Sequence, residues 1–421
     1  MSDVPDYDYY DALEIRSPEQ REGELMAALA HHVAYAKANA AAYAKSLRDV
    51  DAASINSRKA LATLPVVRKA DLKAMQAATR PFGGLVVQTA GAVGKIFQSP
   101  GPIYEPEGTS SNYWRSARAM YAAGFRRGDR VLNCYSYHLT PAGSMMESGA
   151  LAIGCEVIPA GVGQTELQLQ AIADLRPNAY LGTPSFLRIL LEKADETGTD
   201  VSCIRKGLVS GEALPPSLRD WFAARGVQVL QMFGTADVGL IAYETPGADG
   251  KPNPGMVMDE DVILEVVQPG GGTPVQDGEV GELVVTTLNR VYPLIRFSIG
   301  DLTAVLNGVS PCGRTNVRIR GWLGRADQTT KVRGMFVHAT QVQEVMKRHP
   351  QVHQARLVVS GEMANDQLAL LCEVDDEQTG LADQIAQSVR DITKLRADVR
   401  LHAPGSLPRD GKLIEDIRSY K

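Results

Sequence analysis

Four short segments of the sequence carry residue types that could bind a phosphate, a base, a sugar or a metal. The first, Thr89-Ala90-Gly91-Ala92-Val93-Gly94-Lys95, is a glycine-rich turn ending on an ammonium. Glycine frees backbone N–H groups to converge on an anion, and the lysine adds charge. It is not a Walker A loop, which spaces its glycines more widely and follows the lysine with Ser or Thr. Ile96 follows here, and such a turn alone is more often a plain loop than a phosphate cradle. The second segment, Gln231 to Gly239, sets Phe233, Gly234, Thr235 and Asp237 within five residues. An aromatic face, a close-approach glycine, a hydroxyl and a carboxylate could stack a base, bond a phosphate and hold magnesium. A turn after a buried strand is the competing reading. The third pairs Asp301 with Arg325 and Asp327, where a carboxylate suits the two hydroxyls of a ribose. Gly300-Asp301 and Ala326-Asp327 are also ordinary turn pairs. The fourth, Leu407 to Lys412, puts a lysine beside a Pro-Arg-Asp-Gly turn that would usually be solvated.

These segments need elements to position them. Short apolar runs at Val131-Leu132, Glu156–Ile158, Ala179–Leu181, Gly207–Val209 and Val227–Leu230 alternate with helical stretches such as Pro141–Ile153 and Pro184–Lys193. Strand–helix alternation at this spacing predicts βαβ units and a parallel sheet. Ligands of such sheets bind at the carboxyl ends of the strands, after Tyr135, Leu181, Ser210 and Phe233. The first 80 residues read mostly as helix, with Ser17 as a cap and Pro18 in the first turn. Past Gly239, Val262–Val267 and Leu283–Thr287 lack intervening helices, which predicts an antiparallel, barrel-like piece. A compact α+β unit follows, with helices near Thr340–His349 and Leu381–Leu395 and a strand over Gln367–Val374. The expected fold is α/β, a large domain over residues 1–326 and a small mobile α+β domain over 327–421.

Composition excludes several classes. A chain of 421 residues with net charge −5 offers no basic field for nucleic acid or acidic membranes. No apolar run is long enough to span a bilayer and no signal peptide opens the chain, so a cytoplasmic location is expected. Five widely spaced cysteines make no CxxC pair and predict no disulfide framework. His349 and His353 are separated by Pro350, and His31 adjoins His32, so no structural zinc is expected. Gly207 to Gly211 reads Gly-x-x-Ser-Gly, which is not the nucleophile elbow of a serine hydrolase.

The ordered set of segments resembles the adenylate-forming superfamily, and most closely the phenylacetate–CoA ligases. The resemblance runs from Leu64–Leu72 through Gly154–Pro159, Gly182–Ser185, Gly211-Glu212-Ala213 and Lys331–Val337 to Lys412. It implies a two-step ligase using ATP, magnesium and coenzyme A. An aromatic or other small carboxylic acid attacks the α-phosphate, and the thiol then displaces AMP. By the same resemblance Gly91, Gly94 and Lys95 form the phosphate loop. Gly211, Glu212 and Ala213 meet adenine, Phe233 stacks on it, and Gly234 and Thr235 border the phosphates. Asp237 takes the magnesium position, Asp301 and Arg325 hold the ribose, Asp327 is the hinge and Lys412 serves adenylation. Arg333, Gly334 and Met335 belong to the thiol-stage loop. Tyr135, Ser136, Tyr137, His138, Ala142 and Gly143 border the acyl group, and a homodimer is a family-level expectation.

The departures from the family lie in the phosphate segments. Ala92 and Val93 replace threonines, Ala90 replaces a serine, Ile96 replaces a proline, and Ala236 stands where a hydroxyl residue is usual. Each neutral hydrogen bond is worth about 0.5–1.5 kcal/mol, so triphosphate affinity should suffer. Ser136 and His138 replace glycines, which implies a smaller or more polar acyl pocket. Two other readings compete with the ligase: an adenylating enzyme with a different acyl acceptor, and a non-catalytic nucleotide- or acyl-binding homologue.

Overall fold

The computed structural model describes residues 9–87, 89–326, 330–333, 335–337, 339–362, 365–375, 379–408 and 412–418. The chain divides into two compact units, Met1–Gly324 and Arg325–Lys421.

In the first unit, helices Pro18–Asn39, Ala41–Ser46, Arg58–Leu61 and Lys69–Ala78 precede most of the sheet structure. Ser17 caps the first of them by accepting from the Gln20 N–H at 3.1 Å. Strand β1 (Val67–Arg68) is followed by a hairpin of β2 (Val93–Ser99) and β3 (Ile103–Gly108). The strands β4 (Arg130–Asn133), β5 (Glu156–Ile158), β6 (Ala179–Gly182), β7 (Lys206–Val209) and β8 (Gln228–Thr235) then alternate with helices. Parallel pairing runs β5–β4–β6–β7–β8. Val131, Leu132, Tyr180, Leu181 and Leu208 are fully buried, as strands covered on both faces must be. Helix Pro184–Thr197 shows the local logic. Thr183 caps it from the Phe186 N–H, Pro184 occupies the first turn, and Gly198 ends it in the left-handed conformation.

The expected antiparallel pairing of Val262–Val267 with Leu283–Thr287 is present, in a sheet distinct from the parallel one, while other strands past Gly239 join the parallel sheet. β9 (Gly239–Tyr243) and β10 (Met256–Met258) extend the parallel sheet, pairing antiparallel from β8 outward. β11 (Val262–Val267), β12 (Gly281–Thr287) and β13 (Phe297–Thr303) form a second sheet, in which β1 lies parallel to β13. β14 (Val305–Leu306) and β15 (Arg318–Ile319) return to complete the first sheet. The reason lies in the length of β8. Its first half pairs with β7 and its second half with β9, so one strand serves both pairings.

The second unit has a four-stranded sheet in the order Asp398–His402, Asn365–Val374, Val352–Glu362, Ile414–Asp416. Helices Ala339–Arg348 and Leu381–Thr393 bury Val342, Val345, Leu381, Ile385 and Val389 in one core with Leu370 and Cys372. All five cysteines are free. His349 bonds Ser388, and no cluster of three metal-ligating side chains occurs among the described residues. No described helix is long and apolar enough to cross a membrane.

One buried guanidinium fixes β13, which carries Asp301. Arg296 is 1% exposed and pairs with Glu265 at 3.0 Å. It also donates to the carbonyls of Ala62, Leu64 and Gly272. Arg296→Met should therefore destabilise the protein by about 3–5 kcal/mol, because it strands the Glu265 carboxylate in the interior. Denaturant titration checks this, and a loss under about 1 kcal/mol would show that the network carries little.

Candidate active site

The carboxyl ends of the parallel strands come together as the sequence predicts. Beyond β4, Tyr135 is buried and its hydroxyl donates to the Ser210 carbonyl after β7 at 3.4 Å. Beyond β6, the Ser185 N–H donates to Glu212 Oε2 at 3.4 Å. Gln231 on β8 donates through Nε2 to the Glu212 carbonyl at 2.8 Å. Gly211 bends the chain here with φ +82°, a conformation that a side chain would strain. Thus Tyr135, Gly211, Glu212 and the β8 segment share one rim, with Phe233 two residues beyond Gln231 on that strand.

The turn after β8 holds the densest polar chemistry. Asp237 is buried, and its Oδ2 accepts from the Lys69 ammonium at 2.5 Å. Among the described residues its Oδ1 has no hydrogen-bond partner, and neither has the buried Tyr292 hydroxyl. Glu105 on β3 is also buried and is bonded by the Ser99 hydroxyl and N–H. Burial first, then the charge of Asp237, pushes the Glu105 carboxyl up from 4.5 to about 8, with Lys69 opposing. Thr235 closes the turn by accepting from the Val238 N–H.

The phosphate segment is an exposed turn running into β2, with the Ala92 N–H bonded to the Thr89 carbonyl. Gly91 is left-handed at φ +76° with open space around it. Lys95 lies on β2 with its ammonium 3.0 Å from Glu107 Oε1 and 2.7 Å from Ser144 Oγ. Ile96 beside it is 55% exposed.

The remaining candidates are dispersed. Asp301 on β13 is buried and accepts from the Trp322 indole N–H at 3.0 Å. Arg325 begins the second unit, and Asp327 and Gly334 lie outside the described residues. In the second unit Arg333 has φ +48° and its N–H donates to Asp366, while Met335 lies on a short hairpin strand. Lys412 is exposed, next to residues 409–411, which lie outside the described set. On the acyl side, the Tyr137 hydroxyl bonds Asn133 and Glu147, and its ring packs on Gly143, where a Cβ would meet it at 2.8 Å. Ser136 Oγ accepts from the His138 N–H, and Ala142 opens the helix after β4. A cavity of about 470 Å³ elsewhere, lined by Leu64–Val66, Arg68, Gly271–Pro274 and Arg296, lies at the second sheet, not at these strand ends. Lys69, Glu105, Glu107 and Trp322 were not among the candidates. The alternation Glu105-Pro106-Glu107 is the available signal, since residues i and i+2 share one face of a strand.

With this geometry in view, relatives are informative. A family model described as AMP-binding enzyme matches residues 108–289. The phenylacetate–coenzyme A ligase of Thermus thermophilus is 31% identical over 411 residues, covering 88% of this chain and 90% of that protein. The chain belongs to the phenylacetate–CoA ligase family. As a member of the family it is an AMP-forming acyl-CoA ligase that uses ATP and coenzyme A. The ligase of the same name from Pseudomonas putida is 29% identical, covering 84% of this chain and 83% of that protein. Among solved structures, 2-hydroxyisobutyryl-CoA ligase with 2-HIB-AMP and CoA matches with TM-score 0.79 and 25% identity, over 100% of this chain and 97% of that one.

The ligase's carboxylate cluster fits a metal only in a restricted sense. Asp237 Oδ1, a buried acceptor without a partner among the described residues, suits one carboxylate ligand of a magnesium ion that otherwise binds phosphate oxygens and water. Glu105 supplies a separate test of the cluster. Its carboxyl stays protonated in the fold at pH values where the unfolded chain has lost the proton. Its favourable contribution is therefore complete below about pH 4.5 and fades as pH rises through about 8. Thermal stability should fall between pH 5 and pH 9, and Glu105→Gln should flatten that fall by an amount on the order of a few kcal/mol. Parallel pH profiles for the two proteins would mean that Glu105 is not held as the acid.

Proposed function

We propose that this ligase activates a small aromatic monocarboxylate and passes it to coenzyme A, with adenylation centred on the carboxyl ends of β4, β6, β7 and β8. The observation that carries this reading is the hydrogen-bonded rim from Tyr135 through Ser210 and Glu212 to Gln231. Four separate connections meet there, as a ligand crevice in an open α/β sheet requires. Adenine would lie against Gly211-Glu212-Ala213 and the ring of Phe233. Asp301 and Arg325 would bond the ribose hydroxyls, and Gly234 and Thr235 would border the α-phosphate.

Magnesium carried in with ATP would take Asp237 as its protein ligand and neutralise phosphate charge when bound. The chain's own residues would do the rest. Tyr135, Ser136, Tyr137, His138, Ala142 and Gly143 would shape the acyl side, where Tyr137 is already fixed by Asn133 and Glu147. Lys412 would bring an ammonium to the carboxylate as it approaches phosphorus, stabilising charge that develops only in the transition state. Asp327 would be the pivot on which residues 327–421 turn, bringing Arg333, Gly334 and Met335 to the thiol stage. The substrates for which relatives are named support the acid class: phenylacetate, and anthranilate for a ligase of Pseudomonas aeruginosa that is 27% identical.

Two half-reactions separate these roles. Lys412→Ala should lower pyrophosphate release with aromatic acids by roughly 10²–10³-fold or more. Conversion of supplied acyl-AMP and coenzyme A to thioester should change far less. Equal losses in both steps would remove Lys412 from the adenylation role. Release with short aliphatic acids but none with phenylacetate or benzoates would overturn the acid class.

A further inference from the structure

The phosphate-loop lysine is already engaged. Lys95 on β2 stands directly opposite Glu107 on β3 in the hairpin register. Its ammonium lies 3.0 Å from Glu107 Oε1 and donates to Ser144 Oγ at 2.7 Å. Ser144 in turn donates to Glu107 Oε2 at 2.8 Å, and the Trp114 indole N–H donates to the same oxygen at 2.6 Å. Trp114 and Ser144 are both buried, and the Glu107 side chain is 7% exposed against 55% for Lys95. A carboxylate held by two rigid donors stays put, so the flexible lysine is drawn to it. The charge that the loop would offer to a polyphosphate is thereby cancelled at close range. The loop itself adds little, since Ala92 and Val93 carry no hydroxyl.

We propose that Glu107 is a specificity-determining residue that lowers the affinity of this ligase for ATP relative to AMP and acyl-adenylate. It acts through Lys95, by holding the ammonium that would otherwise meet the β- and γ-phosphates. A nucleoside monophosphate has neither phosphate and escapes the effect. Full neutralisation is not required, because even a partly solvated pair at 3 Å removes most of the local positive potential. The proposal rests on the nucleotide reading given above.

The test is calorimetric titration of AMP and of ATP with magnesium on the wild-type chain and on Glu107→Gln. Glutamine has the same shape and still accepts from Trp114 and Ser144, but releases the ammonium. The ATP dissociation constant should fall roughly fivefold or more, with AMP unchanged within about twofold. The gain should vanish in the double variant Glu107→Gln, Lys95→Gln, which shows that it runs through the lysine. Glu107→Asp draws the carboxylate back by one methylene and should give a smaller gain in the same direction, should the glutamine variant fold poorly. An unchanged or weakened ATP affinity in both Glu107 variants would overturn the role of Glu107 while leaving the nucleotide site intact. AMP that binds none of the proteins would instead overturn the nucleotide reading and the proposal with it.

Discussion

Strand β8 pairs in both senses, parallel with β7 over Gln228–Gln231 and antiparallel with β9 over Met232–Thr235. This dual pairing joins five parallel strands to the antiparallel set beyond Gly239. It also forces the chain to reverse within three residues after Thr235. The reversal is tight because Gly239 sits against Trp114, where a Cβ would meet the Trp114 carbonyl at 2.8 Å. Phe233 on the strand and Asp237 in the turn are therefore held at one end of the sheet. The same turn buries Asp237, and burying a carboxylate is costly unless it is paired, which the Lys69 ammonium does.

Charge is handled by pairing at each point of the site. Asp237 has Lys69, Glu107 has Lys95, and Glu105, where Lys69 only partly offsets burial, is pushed toward the neutral acid. Two of these acids lie on one face of β3, two residues apart, and the hairpin presses that face toward the sheet. The candidate site is thus bordered by buried acids whose charge is already balanced. That balance gives a physical setting for a phosphate loop that has lost its hydroxyl residues.

Much of the fold was legible in the sequence. The apolar runs from Val131 to Leu230 name the five parallel strands because a strand covered on both faces must be apolar throughout. The Ser17-Pro18 and Thr183-Pro184 starts name two helices because capping chemistry is local. The positions just after Tyr135, Leu181, Ser210 and Phe233 followed from topology, and the family resemblance singled out Gly211 and Glu212 among them. Less legible was anything that depends on pairing across long sequence gaps. Lys69 meets Asp237 across 168 residues and Trp322 meets Asp301 across 21. No periodicity records such contacts. The division of the antiparallel strands between two sheets was hidden for the same reason, since β1 joins β13 from the far end of the chain.

The adenylate site at the carboxyl ends of the parallel strands is tested most directly by a crystal structure with a hydrolysis-resistant acyl-AMP analogue. Adenine should lie between the Gly211-Glu212-Ala213 backbone and the Phe233 ring. The ribose hydroxyls should be on Asp301 and the acyl group beside Tyr135. An analogue bound away from the ends of β4, β6, β7 and β8, with that rim unchanged, would contradict the assignment.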